Sequence, residues 1–219
     1  MSIARGLVGW WRFDGNLTDA SGAGNHATVE VGSEAYTAGV YGQARDYDGS
    51  SADLLLGPGS VFYGPDNDFS VSFWAKADLP LPQTNMIGAA NDGVNTLLQI
   101  RFNHDGVTGQ IRVFFRKEGN IFRELIIPSG HPIGQWVHVC GTYSDTYGLR
   151  FYANGNLLDS ETPMEGNFAP LQYGVGCGAQ ENRGSFTSHL TGQIDNAMIF
   201  NRALSQPEIK RLYAKGTPL

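Results

Sequence analysis

Apolar and polar residues alternate with a period of two along most of this 219-residue chain, the pattern of strands that bury one face. In Leu7–Phe13, residues Leu7, Gly9, Trp11 and Phe13 fall on one side and Val8, Trp10 and Arg12 on the other. Across Phe69–Lys76, Phe69, Val71, Phe73 and Ala75 make an apolar face opposite Ser70, Ser72, Trp74 and Lys76. Leu97–Phe102 and Gln110–Lys117 repeat the pattern on either side of the polar, glycine-containing stretch Asn103–Gly109, which reads as a turn. Trp136–Tyr143 and Leu149–Asn154 predict a hairpin around Ser144–Gly148, and Asn154-Gly155 predicts a tight reversal, since both residues tolerate positive φ. Leu171–Cys177 and Leu190–Phe200 complete the strands.

One segment has helical periodicity. Ser205 and Glu208 form a capping box, Pro207 sits in the first turn, and Ile209, Leu212 and Tyr213 make one stripe, predicting a helix over about 205–214. The chain therefore reads as all-β, a two-sheet antiparallel sandwich closed by one short C-terminal helix. No repeat, linker or low-complexity stretch divides it, so residues 1–219 are expected to form one domain.

Composition narrows the function. Glycine is abundant (29 residues) and aromatics reach 11%, as suits many strands joined by tight turns. A chain of this size buries roughly 70% of its unfolded surface, enough for a core without covalent staples. Its net charge of −6 and lack of a basic patch argue against nucleic acid as a partner. No apolar run approaches the ~20 residues of a membrane span, so no membrane insertion is expected. The start of the chain lacks a basic region followed by an apolar stretch, so no signal peptide is visible. Cys140 and Cys177 each lie inside apolar strand-like runs, which favours buried free thiols over a disulfide.

Seven stretches, in this order, resemble the laminin G-like members of the concanavalin A-like lectin/glucanase jelly-roll superfamily, of the bacterial and phage type. They are Leu7-Val-Gly-Trp-Trp-Arg-Phe-Asp14, Asp19-Ala-Ser-Gly-Ala-Gly-Asn25, Gly42-Gln-Ala-Arg-Asp-Tyr-Asp-Gly49, Phe69-Ser-Val-Ser-Phe-Trp-Ala-Lys76, Trp136-Val-His-Val-Cys-Gly-Thr-Tyr143, Phe151-Tyr-Ala-Asn-Gly155 and Gly192-Gln-Ile-Asp-Asn-Ala-Met-Ile-Phe-Asn-Arg-Ala-Leu-Ser205. The resemblance spans essentially the whole chain. It implies a jelly roll with one sheet curved to a concave outer face, and an extracellular, cell-surface or virion setting. It leaves activity open, because this architecture hosts glycan binders, hydrolases, lyases and adhesive modules.

Acidic and amide side chains crowd the loops at 14–16, 19–25 and 46–48, with Asp195 in the last strand. Such short oxygen ligands among glycines suit Ca²⁺, which takes six to eight oxygens. In many relatives a structural Ca²⁺ ties the first strand to the last, and the resemblance places Asp195 as the principal ligand, with Asp14, Asp19 and Asn25 behind it. The alternative is that these residues simply bond the amides of their own turns.

Trp74 lies on the polar side of its strand. Gln99, Arg101, Gln110, Arg112, Phe114, Arg116, His138, Arg150 and Tyr152 also fall on one side of theirs. If these sides coincide, they form a platform on which sugar rings pack against aromatics while guanidinium groups hold hydroxyls or carboxylates. Trp74, Arg101, Arg112, His138 and Arg150 are then the ligand-binding candidates. Trp74 and His138 recur in relatives with unlike ligands, so scaffold roles are the competing explanation for both. Trp11 and Trp136 share sides with core residues and read as packing; Trp10 does not.

Catalytic patterns are missing. The Glu-x-Asp-x-Glu strand of jelly-roll glycosidases is absent, and Gln99-Ile-Arg101 carries arginine where lyase relatives place histidine. The expectation is a non-catalytic module that binds a polysaccharide or glycoconjugate. The second reading is a virion or cell-surface assembly protein that uses the same scaffold for protein contacts, as a homo-oligomer or within a virion.

Overall fold

The computed structural model describes residues 3–32, 35–50, 53–56, 68–78, 84–90, 96–102, 109–128, 132–168, 174–182 and 185–218. Along them run β1 (Leu7–Trp11), β2 (Ala27–Val31), β3 (Tyr36–Ala38), β4 (Gln43–Asp48), β5 (Asp53–Leu56), β6 (Phe69–Ala77), β7 (Thr84–Ala90), β8 (Thr96–Phe102), β9 (Ile111–Arg116), β10 (Phe122–Ile127), β11 (Val137–Ser144), β12 (Gly148–Ala153), β13 (Asn156–Glu161), β14 (Val175–Cys177), β15 (Gln180–Asn182), β16 (Ser185–Thr187), β17 (Thr191–Phe200) and the helix α1 (Gln206–Lys215). These build two sheets. The helix-side sheet has the order β13-β12-β11-β6-β17, and the far edge of β17 is shared by β4, with β3 beyond it, and by β1. The second sheet runs β10-β9-β8-β7-β14-β5-β2, with β15 beside β7 and β16 beside β15.

The first and last strands are neighbours, as the resemblance implied. Leu7 faces Phe200, Trp10 faces Met198 and Trp11 faces Ala197. On the same edge β4 pairs with the first half of β17, from Thr191 to Ile194. Between the two partners β17 makes an irregular step at Asp195–Asn196, where Asn196 takes φ 50°.

Inward-facing residues of both sheets meet in one core that includes Trp11, Phe69, Phe73, Ile100, Val113, Phe115, Val139 and Phe151. A second apolar cluster lies outside the helix-side sheet. There Trp10, Cys140, Tyr152, Met198 and Phe200 are covered by Leu204, Ile209 and Leu212. The helix thus exists to bury an outer sheet face that would otherwise expose these side chains to water. Its N-terminus has the predicted capping box, and Arg202 holds Glu208 through bonds of 2.7 and 3.0 Å. Although burial opposes it, this pairing lowers the Glu208 pKa to about 2. At the other end Gly216, in the left-handed conformation, donates its N–H to the Leu212 carbonyl at 2.8 Å.

Several expectations are corrected. A bulge between Leu7 and Gly9 reverses the sides of the first two residues, so Val8 joins the main core and Leu7 the helix-side cluster. The first strand ends at Trp11, and two residues on Phe13 adopts φ 60°, which turns the backbone out of the extended conformation. Trp136 is not a core residue: it precedes β11 and is half-exposed. The helix is offset by one residue from the predicted span. Cys140 and Cys177 are buried and unbridged. The turn expected at 103–108 and the strand start at 171–173 lie outside the described residues.

Lys117 is fully buried at the end of β9. Its Nζ ion-pairs with Asp145, donates to the carbonyls of Met164 (3.1 Å) and Gly166 (2.7 Å), and sits 5.0 Å from the Tyr143 ring centre. It is a strut between the second sheet and the segment after β13. Lys117→Met keeps the packing but removes the donor shared by the Met164 and Gly166 carbonyls and the Asp145 carboxylate. The Tyr143 hydroxyl remains as a donor to Met164 and Asp145, so the substitution is expected to cost about 2 kcal/mol, measured by urea denaturation.

Candidate functional site

The platform expected from strand alternation divides between the two outer faces. Trp74, His138 and Arg150 stand on β6, β11 and β12 of the helix-side sheet, whereas Arg101 and Arg112 stand on β8 and β9 of the second sheet. Alternation gives a residue's side within its strand, but the allocation of strands to sheets decides which sides coincide.

Trp74 is only 9% exposed. Its indole stacks on Tyr213 of α1 (centroids 5.5 Å apart, 26° between planes), with Tyr41 edge-on at 6.3 Å and His138 at 5.4 Å. Asp195, Trp74 and His138 lie directly opposite one another across β17, β6 and β11. Each leaves one buried polar atom without a hydrogen-bond partner: Asp195 Oδ1, Trp74 Nε1 and His138 Nδ1. The other imidazole nitrogen of His138 bonds the Ser72 hydroxyl at 2.9 Å. These three residues form a buried polar row roofed by aromatic rings, and Trp74 offers no open face for stacking.

Asp195 is the most constrained of them. Its Oδ2 accepts the N–H groups of Val40 and Tyr41 at 2.8 and 2.9 Å. Residue 39 must be glycine for this approach, since a Cβ there would lie 2.6 Å from the same oxygen. Burial drives the Asp195 pKa up to about 7, and the charge of Asp14 adds to the rise. An unpartnered, buried carboxylate oxygen beside a second carboxylate fits a hard cation.

Asp14 also holds its own loop, accepting the Gln43 N–H at 2.8 Å and pairing with Arg12 at 2.8 Å. Asp19 and Asn25 are used differently. The two oxygens of Asp19 accept the N–H groups of Trp10, Ser21 and Asn25 and the Ser21 hydroxyl, all at 2.8–2.9 Å, and these bonds lower its pKa against the effect of burial. Asn25 donates to the Val8 carbonyl and accepts the Trp11 indole N–H, each at 2.8 Å. The pair therefore fastens the 19–25 loop onto β1, with the lone pairs of Asp19 already occupied. Among the described residues no group of three or more His, Cys, Asp or Glu converges.

The outer face of the second sheet carries different chemistry. The Gln99 carbonyl oxygen accepts three N–H bonds, from Arg101 Nε (2.9 Å) and Nη2 (2.6 Å) and from Arg112 Nη1 (2.8 Å). Its amide nitrogen donates to Gln180 at 2.7 Å. That contact needs Gly88, opposite Gln99 on β7, because a Cβ would lie 2.7 Å from the Gln180 amide oxygen. Two guanidinium groups are thus drawn together onto one neutral oxygen.

Arg112 also ion-pairs with Glu124 and lies 4.6 Å over the buried Phe114 ring, which Arg116 approaches at 5.1 Å. Phe122 stacks on Phe114 with centroids 5.4 Å apart and is 46% exposed. The result is a rigid floor of aromatic faces and oriented N–H donors. Sequence pattern placed Gln99, Arg101, Arg112 and Phe114 on one side. It missed Phe122, Glu124 and Gln180, because charged residues interrupt the alternation of β10, and because β15 is only three residues long.

The sequence profile of the concanavalin A-like lectin/glucanase superfamily, laminin G type, matches residues 48–210. The pentraxin-related protein PTX3 of Mus musculus is 25% identical over 150 residues, 65% of this chain and 38% of that protein. Domain 4 of AbnA, a GH43 extracellular arabinanase from Geobacillus stearothermophilus, solved in complex with arabinotriose, superposes with a TM-score of 0.75 at 21% identity, covering 94% of this chain and 98% of that one. The binding domain of botulinum neurotoxin DC, in complex with SialylT, gives 0.74 at 17% identity over 99% of this chain and 53% of the toxin domain. The chain thus spans about half of the toxin domain and less of PTX3. At these identities the structural likenesses establish the fold.

Burial lowers the His138 pKa to about 4. An unfolded histidine takes up its proton near pH 6.5, so between the two values the unfolded chain binds a proton that the folded chain refuses. The contribution to stability is complete above pH 6.5 and is lost as pH falls toward 4, a total of about 3 kcal/mol. Urea denaturation across this range is expected to show that slope in the native chain and a flatter one in His138→Gln.

Proposed function

The chain belongs to the concanavalin A-like lectin/glucanase superfamily, and we propose that within it this protein is a non-catalytic recognition module that binds an oligosaccharide or glycoconjugate on the outer face of its second sheet. The observation that carries this reading is the convergence of Arg101 and Arg112 on the Gln99 amide oxygen beside the Phe114–Phe122 stack. Sugar C–H faces pack on the exposed Phe122 ring, while the Arg112 N–H groups not spent on Gln99 or Glu124 bond ring hydroxyls or a carboxylate. The surface is preorganised, so little ordering entropy opposes binding. Two neighbours of the same fold were solved with oligosaccharide ligands, arabinotriose and SialylT, which supports a glycan as ligand.

A non-catalytic role agrees with the chemistry of this face. Glycoside hydrolysis ordinarily uses two carboxylates flanking the scissile bond, and Glu124 is already committed to Arg112. Trp74 and His138 serve in this reading as the covered scaffold of the helix-side sheet, and an extracellular or surface setting follows from a glycan ligand. A structural Ca²⁺ belongs to the same proposal. Asp195, with Asp14, would hold it, and the ion would neutralise the buried carboxylate between the start and end of the chain.

Arg112→Ala and Phe122→Ala are each expected to weaken binding to the best ligand on a glycan array by about tenfold, a loss near 1.4 kcal/mol, with circular dichroism unchanged. Equal binding by both variants would refute the assignment of the face. For the ion, calcium chloride is expected to raise the melting temperature and EDTA to lower it, by about 2–4 °C for each kcal/mol of binding energy. Asp195→Asn should no longer respond, and a native chain indifferent to both additions would refute the ion.

A further inference from the structure

The helix covers only part of the helix-side sheet. Beyond its N-terminus a cleft of about 350 Å³ opens, lined chiefly by Thr142, Ser144, Tyr147, Arg150, Tyr152 and Leu157. Tyr147 comes from the turn between β11 and β12, which is held in place by the Tyr147 N–H bond to the Ser144 hydroxyl at 2.9 Å. Its side chain is nevertheless 61% exposed, the most exposed large apolar group among the described residues. Arg150 lies 4.7 Å from the ring centre.

The charge on Arg150 is the telling feature. Arg12, Arg112, Arg123 and Arg202 each have a carboxylate within ion-pair distance. Among the described residues none lies that close to Arg150, which contacts the Tyr147 ring and the neighbouring Tyr152 hydroxyl. A guanidinium fixed against a ring keeps its N–H fork oriented, and a fork of that shape matches the two oxygens of a carboxylate. Leu157, 44% exposed on β13, gives the cleft an apolar wall. An open aromatic face, an oriented cation without a counter-charge, hydroxyls and an apolar wall make a sugar site, and the cation selects for an acidic sugar.

We propose that this cleft is a second glycan site, on the opposite outer face of the sandwich from the first, and that it takes a sugar carrying a carboxylate. The ring stacks on the free side of Tyr147 and the carboxylate accepts two N–H bonds from Arg150. The site stands independently of the second-sheet face, since Arg101 and Arg112 lie across the core from it. With both sites filled, one chain bridges two glycan strands, and linked ligands gain avidity without new contacts.

A sugar carboxylate can belong to a uronate within a chain or to a terminal sialate, so two probes are needed. Oligogalacturonate and sialyllactose are each titrated into the isotopically labelled full chain, with methyl-esterified oligogalacturonate and lactose as neutral controls. At least one acidic probe is expected to shift the amides of Thr142, Tyr147, Arg150 and Leu157, and its neutral control to leave them in place. Tyr147→Ala and Arg150→Lys should each weaken that response by about tenfold, the loss of one well-oriented contact, while the amides of the second sheet stay at their native positions and report an intact fold. Arg112→Ala should leave the response unchanged. Neither acidic probe moving these amides, neutral controls acting equally well, or full binding by both cleft variants would overturn the proposal.

Discussion

The step in β17 at Asp195–Asn196 organises the rest of the molecule. A long central strand can be paired along one edge by a single neighbour only if that neighbour is equally long, and here the edge is divided between β4 and β1. At the division the backbone turns through a positive φ, and its two side chains secure the partners. Asn196 accepts the indole N–H of Trp10 on β1 at 2.8 Å, and Asp195 grips the loop between β3 and β4 through the amides of Val40 and Tyr41. The start and the end of the chain, separated by some 190 residues, are thereby locked into one sheet. Disturbing this step would loosen two strands at once.

From that arrangement follows the unequal use of the two outer faces. The strand that ends in Phe200 leads directly into α1, so the helix falls back on the sheet it has just left. Ile209 and Leu212 seal Met198, Phe200 and Cys140, while Tyr213 closes over Trp74. The second sheet has no such cover among the described residues near Gln99, and its outer face keeps arginines, amides and a phenylalanine pair. One outer face is thus committed to stability, with the uncovered cleft beside Tyr147 as its exception, and the other is the face proposed above for ligand.

Much of this was legible beforehand. The alternation of Phe69–Lys76 and Val137–Tyr143 matches the observed sides, the Asn154-Gly155 reversal takes φ 49° and 75°, and the capping box of the helix is formed as written. The terminal strands were recognisable from motifs at both ends. Less legible were β10, β13 and β15, where charged and small residues interrupt the period, and the bulge at Val8, which inverts sides without any local signal. Among the site residues, Arg101, Arg112 and Phe114 could be grouped by parity. Glu124, Phe122 and Gln180 could not, because their place depends on strands that pattern did not reveal.

Local chemistry in the chain determined which residues are strand, turn and helix, and which side of its own strand each large side chain occupies, because period and capping act within a few residues. The folded structure alone decided that Trp74 and Arg112 look away from each other, that Asp19 spends its oxygens on a loop while Asp195 keeps one bare, and that Tyr147 meets Arg150 in an open cleft. Those outcomes depend on which strands become neighbours and where a helix comes to rest. Pairing across scores of residues is settled by the burial of the whole core, and no short window of sequence contains that sum.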